Sequence, residues 1–221
     1  MLLRFGLWGR SRVLMPGLTY IAVAGNIGCG KSTLVEFLCR SYGLEPFFEP
    51  NATNPYLVDF YADMKRWAFH SQIYFLTRKF GLLQELERKR QATTVVQDRT
   101  IYEDAEVFAR YLAKRRFINQ RDWEVYTELY ETILASLRPP DLMIYLRASV
   151  RTVRKRIQIR ARPEEQDIPV GYIRSLNELY EDWFKSYNRS PTVVLDTDNL
   201  NYIEDLVHRL DVRKAIEQHL I

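Results

Sequence analysis

Residues 25–32 read Gly25-Asn26-Ile27-Gly28-Cys29-Gly30-Lys31-Ser32, a complete G-x-x-x-x-G-K-S phosphate loop, and Thr33 follows it. The motif constrains the fold because it works in one setting, between a strand that delivers it and a helix that opens on its lysine. Its glycines let backbone N–H groups approach a polyphosphate, its lysine reaches the terminal phosphates, and its serine hydroxyl suits Mg²⁺. The flanks supply that setting. Leu18-Thr19-Tyr20-Ile21-Ala22-Val23-Ala24 is apolar and strand-forming, and the residues after Lys31 place apolar side chains at helical spacing. Gly25 to Thr33 are therefore expected to bind a nucleoside triphosphate.

The same alternation continues along the chain. Short apolar runs at 18–24, 44–48, 93–97, 141–146 and 192–196 read as strands. Helical periodicity fills the gaps at 31–42, 55–65, 66–90, 101–115, 121–137, 149–160, 169–188 and 202–219. Strand–helix alternation of this kind predicts an α/β fold with a five-stranded parallel sheet flanked by helices, the P-loop NTPase architecture. Trp67, Tyr74 and Leu82 mark an apolar stripe on the long third helix, read as core or subunit interface. With 221 residues, 47% of them hydrophobic, the chain has enough apolar surface for one domain, expected over 18–221. Residues 1–17 carry three arginines and no acid. They resemble an Arg-rich transit segment or an extension ahead of Met15, and are expected to be a disordered, dispensable extension.

No apolar run approaches the roughly 20 residues a membrane span needs. The two cysteines, Cys29 and Cys39, lie in the loop and the helix after it. That placement argues against a disulfide framework and for a reducing, cytoplasmic setting. The three histidines have no metal-ligand spacing. The net charge of +4 draws much of its excess from the segment Arg147 to Arg162, which is expected to serve a phosphorylated small ligand rather than nucleic acid.

In open α/β sheets, ligands collect beyond the carboxyl ends of the strands. Besides the loop, those ends deliver Glu49 after the second strand and Asp98-Arg99 after the third. A glutamate held by Pro50 is a candidate general base. Arg156 and Arg160 stand four apart on one helix face, with Arg162 just beyond and Pro163 ending the helix, an arrangement suited to an Arg-rich lid. Phosphoryl transfer spreads negative charge over the moving group, and arginines closing on a phosphate loop stabilise it.

Taken in order, Gly25 to Thr33, Phe48-Glu49-Pro50, Trp67 with Gln72, Asp98-Arg99-Thr100 and Arg160-Ala161-Arg162-Pro163-Glu164-Glu165 resemble the deoxynucleoside kinases over about residues 18–196. Asn54-Pro55-Tyr56-Leu57 is most similar to their bacterial deoxyadenosine/deoxyguanosine branch. The resemblance implies ATP-dependent phosphorylation of a deoxynucleoside 5′-hydroxyl, with Mg²⁺ at Ser32 and Asp98. It implies that Glu49 takes the hydroxyl proton and that Arg99 lies near that hydroxyl and the phosphates. Tyr61 and Glu165 would hold the 3′-hydroxyl, with Leu57 and Phe60 beside them. Gln72, Arg78 and Asp104 would read the base edge, Arg78 and Asp104 as a buried pair, while Phe108 stacks on the base. Lys31, Arg156, Arg160 and Arg162 would act on the phosphates, and the long helices 66–90 and 121–137 would pair two copies in a homodimer.

Ser71, where the family usually carries a bulky side chain, is expected to widen the pocket towards a purine, with Phe75 refilling part of the space. Deoxyadenosine or deoxyguanosine is thus the expected substrate, and deoxycytidine a further one. The rival reading is another small P-loop kinase acting on a nucleoside monophosphate or a metabolite alcohol. Glu49 at the acceptor end would repel a monophosphate. The chain has no N-K-x-D guanine reader of a GTPase switch.

Overall fold

A computed structural model describes residues 18–48, 54–165, 168–200 and 205–218. Five parallel strands form one sheet in the order β2-β3-β1-β4-β5. They are β1 (Tyr20–Ala24), β2 (Glu45–Phe47), β3 (Val95–Asp98), β4 (Leu142–Arg147) and β5 (Thr192–Asp196). Central β1 is buried at every residue, as a strand covered by helices on both faces must be. It pairs with β3 (Val23 opposite Asp98) on one side and with β4 (Val23 opposite Ile144) on the other. The chain thus leaves β1 in opposite directions across the sheet, and the crevice at that switch point opens above the end of β1.

Helix α1 (Lys31–Tyr42) starts at the phosphate loop, and its end is closed by Gly43 at φ 69°. The helices expected at 55–65 and 66–90 are α2 (Leu57–Ala62) and α3 (Met64–Lys89). The break falls at Asp63, whose side chain accepts the Arg66 N–H and caps α3. The buried face of α3 carries Ala68, Ser71, Gln72, Leu76, Lys79, Leu83 and Leu86, while Trp67, Tyr74 and Leu82 sit half-buried beside it. The core stripe is therefore rotated from the predicted one.

The helix expected at 101–115 is interrupted. A capping box of Thr100 and Glu103 starts α4 (Ile101–Glu103), which widens into a π-helical turn over Asp104–Ala109 before α5 (Arg110–Lys114). The remaining helices are α6 (Gln120–Ala135), α7 (Val150–Arg160), α8 (Val170–Ser186) and α9 (Leu206–Glu217). Ala161 closes α7 in the left-handed conformation, and Pro163–Glu165 form a 3₁₀ turn. Helix α8 packs an aromatic row against the sheet, with Tyr145 stacked on Phe184 at 4.5 Å. No helix among the described residues is long and apolar enough to cross a membrane.

Candidate active site

The phosphate loop leaves β1 through Gly25 at φ 145°, and a Cβ there would stand 2.7 Å from both the Leu146 carbonyl oxygen and Cys29 Sγ. Only glycine fits so close to the neighbouring strand. Gly28 and Gly30 also have positive φ, at 73° and 107°. Lys31 Nζ donates to the Gly25 and Asn26 carbonyls at 2.8 and 3.0 Å, holding the ammonium in the bowl of the loop. The Asn26 side chain points the other way. It donates to Asn177 Oδ1 and the Ile173 carbonyl and fastens the loop to α8. Burial pushes the Cys29 thiol pKa up, with nearby Lys31 only partly offsetting it, so this cysteine stays a neutral packing group.

Two hollows meet on this loop. The larger, about 570 Å³, extends towards α2, α3 and the π-helical turn; the smaller, about 410 Å³, lies between the loop and α7. Gly28, Lys31, Ser32, Arg160 and Arg162 line both. Arg156 belongs to the smaller one. Its guanidinium donates to the Cys29 carbonyl at 2.8 Å and to the Thr197 carbonyl and hydroxyl at 2.6 and 3.0 Å, bracing the loop against the end of β5.

Most residues singled out from the sequence line the larger cavity. Leu57, Phe60 and Tyr61 come from α2, Gln72 from α3, Asp98 and Arg99 from the end of β3, Asp104 and Phe108 from the π-helical turn, and Glu165 from the 3₁₀ turn. Glu165 pairs with Arg160 and, at 3.6 Å, with Arg162, so two arginines and a carboxylate that line the same cavity as Tyr61 form one cluster. Arg99 adopts φ 64°, unusual for a non-glycine residue. Its guanidinium lies 4.4 Å from the centre of the Phe108 ring, so a cation covers one face of the aromatic expected to stack on a base. Glu49 lies outside the described residues.

Ser32 Oγ donates to Asp98 Oδ2 at 2.5 Å. Asp98 Oδ1 is buried without a hydrogen-bond partner among the described residues. A hydroxyl and an orphaned carboxylate oxygen at the mouth of a phosphate loop fit a hard divalent cation that takes its other ligands from phosphates and water. The described residues contain no cluster of three or more His, Cys, Asp or Glu that could hold a metal by itself.

Two expectations are corrected. Arg78 is exposed, and Asp104 pairs instead with Lys79, at 3.5 Å, where both side chains are buried. At 100° per residue, position 79 returns to the face of Gln72 after seven residues, whereas position 78 stands about 120° away. Ser71 does not line the cavity: it is fully buried, and its hydroxyl accepts the Asn54 amide at 3.1 Å. The space left by a small side chain is used to anchor the chain entering α2, while Phe75 does line the cavity.

Phe48 and Tyr172, which also line it, were not picked out from the sequence as cavity residues. Glu103 was missed too. Fully buried, it accepts from Gly25 N–H and the Tyr180 hydroxyl through Oε1, and from Thr100 N–H and hydroxyl through Oε2. The Thr100-x-x-Glu103 spacing signalled its capping role, but nothing local signalled its reach to the loop.

A parallel sheet in this order, a phosphate loop at its switch point, and a second cavity facing that loop fit a P-loop phosphotransferase with separate donor and acceptor sites. The deoxynucleoside kinase family model matches residues 21–221, and the chain belongs to that family. It is 34% identical over 199 residues to the deoxyadenosine/deoxycytidine kinase of Bacillus subtilis, covering 86% of this chain and 88% of the relative. It is 38% identical over 176 residues to the deoxyadenosine kinase of Dictyostelium discoideum, covering 80% and 71%. Among solved structures it resembles the deoxyadenosine kinase of M. mycoides with bound dATP, at TM-score 0.76 and 31% identity, over 90% of this chain and 99% of the other.

Proposed function

We propose that the chain transfers the γ-phosphoryl group of ATP to the 5′-hydroxyl of deoxyadenosine, and more slowly of deoxycytidine, as a cytoplasmic homodimer in nucleotide salvage. The observation that supports this reading is the meeting of the two hollows on Gly28, Lys31, Ser32, Arg160 and Arg162: donor phosphates in the one and an acceptor hydroxyl in the other would lie either side of one cluster of cations. The base preference follows from Asp104, an acceptor on the cavity wall with its cation, Lys79, behind it. Gln72 offers both a donor and an acceptor. A carboxylate and an amide together suit a base edge that presents an exocyclic amine beside a ring nitrogen. A carbonyl at that place, as in guanine or thymine, would face the carboxylate unfavourably.

In this reading Glu49 accepts the 5′-hydroxyl proton as the oxygen attacks, and Tyr61 with Glu165 holds the 3′-hydroxyl to fix the sugar. The hydroxyl's engagement of Glu165 draws on the same carboxylate that pairs with Arg160 and Arg162, freeing those guanidinium groups for the phosphoryl oxygens. Ser32 and Asp98 would hold a divalent cation such as Mg²⁺, which would supply charge neutralisation to the phosphates. Lys31 exchanges two loop carbonyls for phosphate oxygens.

The test is coupled ADP release with ATP and Mg²⁺ against the four deoxynucleosides and their monophosphates, with the product identified by mass. Deoxyadenosine is expected to give the highest kcat/KM. Glu49→Gln is expected to lower kcat by roughly two or more orders of magnitude with ATP binding retained. A monophosphate or thymidine as best acceptor would overturn the reading.

A further inference from the structure

Lys79 is a sealed lysine, 1% exposed, on the inner face of α3 one heptad after Gln72. An ammonium taken out of water is retained only if its partners replace the lost hydration. Two of its partners belong to different parts of the acceptor site. One is Asp104, with Oδ2 at 3.5 Å, on the wall assigned to the base. The other is the Arg99 carbonyl, which accepts from Nζ at 3.0 Å.

That carbonyl belongs to the residue whose backbone stands at φ 64°, in the turn between β3 and α4. A left-handed conformation at a non-glycine residue persists only when its surroundings over-determine it. Here the Arg99 N–H donates to the Val23 carbonyl at 2.9 Å and Lys79 holds the carbonyl from the other side. The turn sends the Arg99 side chain into the cavity shared with Asp98 and Lys31. Lys79 itself does not line that cavity.

We infer that Lys79 is a positioning residue that ties base selection to phosphoryl transfer: one ammonium holds the Asp104 carboxyl group facing the base and fixes the turn that aims Arg99. The inference rests on the assignment of Asp104 to the base edge under the proposed function. A residue that touches neither the base nor the phosphates then controls both the choice of nucleoside and the rate of turnover. A lysine placed only to neutralise Asp104 would affect the first alone.

Deoxyinosine is the discriminating probe, because it differs from deoxyadenosine by a carbonyl in place of the exocyclic amine and the ring proton that accompanies it. Wild type must first phosphorylate deoxyadenosine; if it does not, the proposed function fails and Lys79 is not at issue. Lys79→Met/Asp104→Asn and Lys79→Gln/Asp104→Asn both remove the buried charge pair, and only the second retains a donor for the Arg99 carbonyl. Folding is checked by circular dichroism and by affinity for a non-hydrolysable ATP analogue, expected to stay within about threefold of wild type.

Both double variants are expected to lose at least tenfold of the deoxyadenosine-to-deoxyinosine ratio in kcat/KM. Lys79→Met/Asp104→Asn is expected to lose at least tenfold in kcat beyond Asp104→Asn, and Lys79→Gln/Asp104→Asn to recover at least fivefold of that loss. Equal kcat for the two double variants overturns the tie to Arg99. An unchanged nucleoside ratio overturns the tie to the base. If the methionine variant does not fold, Lys79→Gln/Asp104→Asn against Asp104→Asn decides the same question: kcat within fivefold supports the retained donor, and a loss beyond tenfold overturns it.

Discussion

Glu103 carries a carboxylate into a fully buried place and keeps it there with four hydrogen bonds, one of them to the first glycine of a loop 78 positions away. Glu103→Gln preserves the shape but turns one acceptor into a donor facing N–H or O–H groups. Leaving such a buried group unmatched costs about 1–3 kcal/mol. The expected result is a lower midpoint in denaturant with unchanged slope, together with weaker ATP binding because Gly25 N–H loses its tether. Wild-type stability with wild-type ATP affinity would show the contact to be dispensable. At this scale local chemistry was legible where a motif states it, as in the loop glycines, while the capping spacing of Thr100 and Glu103 was present but not picked out. The chemistry was misread where a helix had to be indexed against a distant partner. Arg78 and Lys79 are adjacent cations, and only the angular position of Asp104 relative to Gln72 separates them.

Helix α7 and the 3₁₀ turn after it act as one element. Arg156 is committed to the Cys29 and Thr197 carbonyls, whereas Arg160 and Arg162 are held by a carboxylate they share. Their roles should separate accordingly. Arg160→Ala with Arg162→Ala is expected to lower kcat about a hundredfold or more while the ATP KM changes little, since under the proposed function these guanidinium groups act on charge that develops during transfer. Arg156→Ala should instead raise the ATP KM, because it releases the loop backbone. Steady-state kinetics with varied ATP checks both, and equal effects of the two on KM would contradict the division. The helices themselves were readable from periodicity and caps. The π-helical turn over Asp104–Ala109, from which Asp104 and Phe108 line the cavity, was not, because a π-helical turn has no signature in helical periodicity.

Across the whole molecule, Tyr20, Tyr126, Tyr172 and Tyr180 are buried, and desolvation raises each phenol well above the ordinary value of 10.0. A group whose folded pKa is raised contributes stability that is complete below the unfolded value and lost as pH climbs above it. The fold is therefore expected to hold through neutral and mildly alkaline pH and to unfold cooperatively above about pH 10. Phenolate absorbance and far-ultraviolet circular dichroism should change together there; early ionisation of these tyrosines without loss of structure would contradict their burial. The proposed homodimer has its own test. Val125 and Leu129, four apart on α6, are exposed at 51% and 37%. Val125→Glu with Leu129→Glu is expected to move the protein from dimer to monomer mass in sedimentation without unfolding it.

By itself the sequence determined the phosphate loop, the strand–helix alternation and hence a parallel sheet, because these rest on periodicities and turn chemistry carried by neighbouring residues. It also determined which types of side chain gather at the strand ends. Only the tertiary structure decided which cation meets Asp104, that Ser71 anchors Asn54 instead of opening the pocket, and that Glu103 ties α4 to the phosphate loop. Those contacts join residues far apart in the chain, and their partners are selected by how helices rotate and pack against the sheet.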